Sequence, residues 1–301
     1  MNTRTFLSNF PTFVKRWKVY RKKLGGTPLG WTVTSDYCLD DPNKNDCITF
    51  TINPILGQIE PITKILDKKL PTEIKKMRQV PQETIDFIKK QKEFFSLVFL
   101  FPDKDRLFNI QYFKTDMLAL SESSMITDES RKSLKLFVRS LERKGLHKKV
   151  LQNLSLVSFL CGRIVEFLTI KHYAEAIHWF PDRDSIMREG KGIIRELVNV
   201  SCTNAIAGRT RYPEVHIGGE NLATGEFVFD PFTRYPDIIS GVFSSLPIFS
   251  NRKLKEKHFQ LLQETILNNP RIAWFIMYPD KMRYFDMVAL KLFYEKHLIK
   301  C

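Results

Sequence analysis

The chain contains no Cys-x-x-Cys pair, no Gly-x-x-x-x-Gly-Lys-Ser/Thr phosphate loop and no Gly-x-Ser-x-Gly elbow. The first absence leaves five scattered cysteines, Cys38, Cys47, Cys161, Cys202 and Cys301, with neither zinc-site spacing nor a disulfide framework. Buried thiols in a reducing, cytoplasmic setting are expected. The other two absences remove P-loop hydrolysis and the usual α/β-hydrolase signal. Gly218-Gly219 lies between expected strands and reads as a turn, Ser201-Cys202 falls inside an expected helix, and His172 and His178 lack zinc spacing with any other ligand. Long apolar runs are missing too. The longest uncharged one, Phe94 to Phe101, is eight residues and too short to span a bilayer. Residues 155–170 are interrupted by Arg163 and Glu166, as in a buried amphipathic helix, and the polar-mixed opening predicts no leader sequence.

What is present is core material and positive charge. Among 301 residues, 43% are hydrophobic, 27% are charged and 24 are Phe, which predicts a globular chain with a large core. The net charge of +14 comes from two segments. Residues 1–35 hold Arg4, Lys15, Arg16, Lys18, Arg21, Lys22 and Lys23 and no acid; residues 131–150 hold eight bases against Glu142. Such local fields suit a polyanion, a nucleic acid or a phosphoinositide surface, although solvated helix faces produce the same pattern. Phe13, Trp17 and Tyr20 fall at helical spacing, which fits an aromatic-basic arm on nucleic acid, peripheral membrane contact through residues 10–23, or a helix docked on the core. Leu134, Phe137, Val138 and Leu141 predict a second docked helix with a basic outer surface. The bases expected to hold a nucleic-acid backbone are Lys15, Arg16, Lys18, Arg21, Lys22, Lys23, Arg139 and Arg143, joined by Arg209 and Arg211 near Gly218.

Turn chemistry at Asp41-Pro42-Asn43-Lys44-Asn45 predicts a hairpin of strands Trp31 to Tyr37 and Cys47 to Asn53. Further strands are expected at 94–101, 174–180, 214–217 and 226–229. Helices are expected at 82–92, 128–144, 148–171, 191–207 and 236–246, and a mostly helical tail from about 253. The order predicts an α/β domain, a mixed sheet opening with a β-hairpin and flanked by helices. It divides the chain into a basic arm at 1–30, an α/β domain at 31–250 and a helical extension at 251–301.

Three acidic positions stand at element ends: Asp36 in the first strand, Asp182 and Asp184 just after the strand ending at Phe180, and Asp237 near the start of a helix. Ligand sites gather beyond strand ends in open sheets, and Mg²⁺ or Mn²⁺ favours such hard oxygen donors. Each Asp also has a bland reading as a turn or helix-opening residue. His178, four residues before Asp182, is a candidate ligand or proton shuttle, or a satisfied half-buried histidine.

The stretches Thr34-Ser35-Asp36-Tyr37, Phe180-Pro181-Asp182-Arg183-Asp184 and Pro236-Asp237-Ile238-Ile239-Ser240-Gly241 together resemble the ribonuclease H-like superfamily over about residues 30–250. That family places one Asp in the first strand, another after a later strand and a last acid on a helix. Tyr37-Cys38 stands where its bacterial and mobile-element members carry Glu-Ser, and Pro236 replaces a small residue. The resemblance implies a two-metal-ion nuclease, with Asp36, Asp182, Asp184 and Asp237 holding Mg²⁺ or Mn²⁺. The alternative is a non-catalytic nucleic-acid-binding or partner-binding protein on the same fold.

Overall fold

The structure, a computed structural model, describes residues 5–57, 60–72, 76–107, 110–122, 128–144, 148–172, 174–182, 193–206, 213–218, 229–249, 254–267, 269–278 and 282–285. In chain order the elements are α1 (Pro11–Lys23), β1 (Gly30–Cys38), β2 (Asp46–Ile55), α2 (Glu60–Lys69), α3 (Gln82–Lys90), β3 (Phe95–Phe101), α4 (Ile110–Glu122), α5 (Asp128–Lys144) and α6 (Lys148–His172). They continue with β4 (Ala176–Pro181), α7 (Ile193–Ile206), β5 (Glu214–Ile217), α8 (Asp230–Ser245), α9 (Glu256–Leu261), β6 (Ile272–Met277) and β7 (Met282–Phe285). The chain forms two compact units: a sheet unit of Phe10–Pro102, Ala176–Asp182 and His216–Cys301, and a helical unit of Met1–Asn9, Asp103–Glu175 and Arg183–Val215.

The mixed sheet has seven strands in the order β5-β4-β1-β2-β3-β6-β7. β1 and β2 form the expected antiparallel hairpin, and β3 continues it antiparallel to β2. β4 joins the other side of β1 in parallel, with Gly30 opposite Ala176 and Ser35 opposite Pro181. Gly30 is required where β1 meets β4, because a Cβ there would lie 2.7 Å from the Ala176 carbonyl oxygen. Beyond β3 the sheet extends through β6, parallel to β3, and β7, antiparallel to β6.

β6 and β7 correct the expectation of a helical tail. Ile272-Ala273-Trp274-Phe275-Ile276-Met277 is apolar on both faces, and periodicity alone does not separate such a run from a buried helix. Its paired, interior place in the sheet decides the matter. α8 also departs from expectation. It opens at Asp230 with Pro231 in its first turn, and Pro236, read from the sequence as the helix opener, sits inside it and removes one backbone hydrogen bond. Of the strand expected at 226–229, residues 226–228 lie outside the described residues, and Phe229 is the turn residue before α8.

Helices cover both faces of the sheet. On one, α1 buries Phe13, Trp17 and Tyr20. The Trp17 ring lies 5.0 Å from Phe95 and 5.5 Å from Trp31, and Tyr20 donates to the Glu93 carbonyl at 2.6 Å. Each such aromatic contributes roughly 2–3 kcal/mol by burial, which fixes α1 as part of the core. On the other face α8 packs over β1, β2 and β3. Its C-terminus is held by Asn45 in the hairpin turn, whose amide nitrogen donates to the carbonyls of Phe243 (3.0 Å) and Leu246 (2.7 Å).

In the helical unit α6 packs on α7 so closely that a Cβ on Gly162 would lie 2.8 Å from the Ser201 carbonyl oxygen. α5 buries Leu134, Phe137 and Val138 and exposes Lys132, Lys135 and Arg139, as its pattern predicts. α6 is long and apolar enough by length and composition to cross a membrane, and most of it is buried in the fold. Glu166 on α6 is buried and accepts from the Phe6 N–H at 3.3 Å and from Arg163 at 3.4 Å.

Candidate active site

Alternation along β1 sends Trp31, Val33 and Ser35 to the α1 face and Thr32, Thr34, Asp36 and Cys38 to the α8 face. The α1 face is aromatic and aliphatic. The α8 face is unusually polar: in register with β1 it carries Asn53, Thr51, Thr49 and Cys47 from β2, and Ser96 follows from β3. Thr51 and Ser96 share a hydroxyl hydrogen bond of 2.8 Å. Ser240 and Ser244 of α8 come up against Cys47 and Cys38.

Asp36 stands at the C-terminal end of this polar face and is 4% exposed. The β1–β4 pairing runs one residue past the end of β4, because the Asp182 N–H donates to the Ser35 carbonyl at 2.9 Å. That bond sets Asp182 opposite Asp36 on adjacent parallel strands, about 4.8 Å apart at the backbone and on the same face of the sheet. The backbone thus brings Asp36 and Asp182 to neighbouring positions at the carboxyl edge. There β1 is flanked by an antiparallel neighbour on one side and a parallel one on the other, the kind of position where open sheets bind ligands.

Asp237 is half-buried on α8, and its neighbour is Lys257 of α9, whose ammonium donates to the Met77 carbonyl at 3.1 Å. Among the described residues, no three His, Cys, Asp or Glu side chains gather as a metal-holding group. Asp184, next in sequence but one to Asp182, lies outside the described residues, as do Arg209 and Arg211.

The surroundings of Cys38 and His258 are basic, which sequence reasoning missed. Burial raises the pKa of the Cys38 thiol; Lys44 opposes that shift, and Asp36 and Asp41 reinforce it. Burial, with Lys257, Lys255 and Lys44 around it, pushes the His258 imidazole down to about 4. Lys44, Lys255, Lys257 and His258 therefore share one neighbourhood with Cys38, two residues beyond Asp36. The charges from Lys255 to His258 stand together in the sequence, but only the packing of α9 on α8 brings them to the hairpin turn.

Of the α1 bases, Lys15, Lys18, Lys22 and Lys23 are exposed. Arg16 instead donates to the Ile272 carbonyl at 2.8 Å, and Arg21 lies over the Trp31 ring at 5.3 Å, so both are tied into the fold. The side chain of Arg143 on α5 lies outside the described residues, while Arg139 is exposed. His178 shares the α8 face with Asp36 but stacks on His216 of β5 at 4.7 Å, about 13 Å along the strand from Asp182. It does not join the carboxylates. Comparisons with protein-family models, with curated proteins and with solved structures give no match.

Proposed function

We propose that the protein is a metal-dependent phosphodiester hydrolase acting on nucleic acid, built on a ribonuclease H-like sheet. The observation that carries this reading is the pairing of Asp36 with Asp182 at the carboxyl ends of β1 and β4. The strand order supports it. The sheet opens with the antiparallel β1–β2 hairpin and carries one acid in β1 and another just after the later strand β4, as the ribonuclease H-like resemblance implies. β6 and β7 are additions outside β3.

Two adjacent carboxylates suit Mg²⁺ or Mn²⁺, which keeps waters and takes one or two protein carboxylates plus substrate phosphate oxygens. Asp36 and Asp182 would hold the ion; Asp184 and Asp237 are the nearest further donors in the sequence pattern. When bound, the ion supplies Lewis-acid activation at a phosphate. The chain's own contribution is positional. Asp36 is fixed by its strand, and Asp182 by the backbone bond to Ser35. Lys255 and Lys44, both exposed near His258, would offer cations to flanking phosphates, Lys44 from its pair with Asp41 at 3.4 Å. The lysines of α1 and the Lys132, Lys135 and Arg139 face of α5 add sequence-independent affinity.

The test is nucleic-acid cleavage with Mg²⁺ or Mn²⁺. Asp36→Asn and Asp182→Asn are each expected to lower the rate by at least about 100-fold while salt-sensitive binding persists. A binding-only protein on this fold predicts binding without turnover in the unaltered chain.

A further inference from the structure

A polar concavity lies in the sheet unit, near the starts of β3 and β6. It has a volume of about 700 Å³ and is walled by the C-terminal ends of α1 and α3, the turn after α9 and the turn into β6. Its position follows from the register: β6 begins at Ile272 opposite Ser96, near the start of β3, whereas Asp36 lies two strands away on β1, level with Val98 farther along β3. The cavity is therefore distinct from the carboxylate pair.

The lining is rich in donors and poor in acceptors. Lys23, Lys89 and Arg271 bring three cations against one acid, Glu264, which is already paired with Lys89 at 3.0 Å. Lys23 is exposed and has no acidic partner among the described residues. Arg271 donates one guanidinium N–H to the Lys89 carbonyl at 2.9 Å and makes no ion pair there, which holds its fork at the wall. Thr265 directs its hydroxyl proton to the Leu261 carbonyl at 2.5 Å. Asn269 is 5% exposed; its side-chain oxygen accepts the Arg271 N–H at 3.0 Å, and its amide nitrogen has no partner among the described residues. The backbone here is a π turn, Leu262–Ile266, closed by the Leu267 N–H on the Leu262 carbonyl at 2.9 Å, a local departure that bulges the wall.

We infer that this cavity binds a phosphate group, carried by a small phosphorylated molecule or by the end of a nucleic-acid strand. Excess cationic donors with an unused buried amide call for a multiply charged, acceptor-rich ligand, and phosphate is the common biological group of that kind. The volume exceeds what one phosphate fills and is that of a site for a small organic ligand.

The experiment is calorimetric titration of the full-length protein with pyrophosphate at constant ionic strength. Saturable binding is expected, weakened roughly tenfold by Lys23→Ala or Lys89→Ala, as for loss of one charge-assisted hydrogen bond. Lys15→Ala with Lys18→Ala, elsewhere on α1, is expected to leave it unchanged, as is Asp36→Asn. Absence of saturable binding overturns the proposal, and so does an equal loss in the Lys15 and Lys18 variant, which would mark a diffuse field. Dependence on Asp36 would move the ligand to the carboxylate pair and equally overturn it. A short oligonucleotide with and without a 5′-phosphate then separates the two sources: a strand end predicts preference for the phosphorylated form, a small molecule predicts none beyond pyrophosphate itself.

Discussion

At the scale of single residues, the clearest electrostatic consequence belongs to His258. Its ordinary pKa of 6.5 is pushed down to about 4 by burial and by Lys257, Lys255 and Lys44. The imidazole is thus neutral in the folded protein at a pH where it would be charged in the unfolded chain. The stability this neutral form supports is complete above about pH 6.5 and falls as pH drops toward 4. The full shift corresponds to roughly 3–4 kcal/mol, of which solvent screening of the lysines leaves only a part. His258→Gln should flatten the acid limb of a denaturant-monitored stability profile between those values; a profile parallel to that of the unaltered protein would contradict the assignment. Glycine offers a second residue-scale check. Gly162→Ala forces a methyl group against the Ser201 backbone and should cost roughly 1–3 kcal/mol, whereas Gly57→Ala, with nothing within 4 Å, should change stability by less than about 0.5 kcal/mol.

At the scale of elements, α1 and α8 hold the sheet between them, and their attachments differ in kind. α1 is attached by aromatic burial, so Trp17→Ala is expected to destabilise by roughly 3–5 kcal/mol in urea unfolding. α8 is tied at its C-terminus by Asn45. Asn45→Ala leaves the Phe243 and Leu246 carbonyls without that donor and should cost roughly 1–3 kcal/mol; a neutral result would mean the turn does not position the helix. Much of this was legible in the sequence. The turn residues at 41–45 specified the hairpin, and the Phe13, Trp17, Tyr20 stripe specified a helix, with docking on the core as one of its three readings. Strand β6 was not legible, because Ile272 to Met277 has no period and only its pairing with β3 identifies it. Asp36 and Asp182 could be picked out as acids at strand ends, but their adjacency could not: it depends on the β1–β4 register, which no local pattern encodes. The basic surroundings of His258 were hidden for a similar reason, since Lys44 and Lys257 are 213 positions apart in the chain.

At the scale of the whole molecule, the two basic segments fall in different compact units, one on α1 and one on α5. Together they account for the net charge of +14, so the remainder of the surface is close to neutral in sum. A polyanion engaging α1 releases counterions in proportion to the lysines it meets. Replacing Lys15, Lys18 and Lys22 together by Gln should make the salt dependence of nucleic-acid binding shallower by roughly two logarithmic units per unit of log salt, with stability unchanged. An unaltered slope would remove α1 from the binding surface.

The central claim is that Asp36 and Asp182 present their carboxylates together to one divalent cation. Electron paramagnetic resonance of Mn²⁺ titrated into the full-length protein reads this without reference to any substrate. The account predicts saturable Mn²⁺ binding that is lost in Asp36→Asn and in Asp182→Asn and retained in His258→Gln. Binding that is absent from the unaltered protein, or undiminished in both Asn variants, would contradict it.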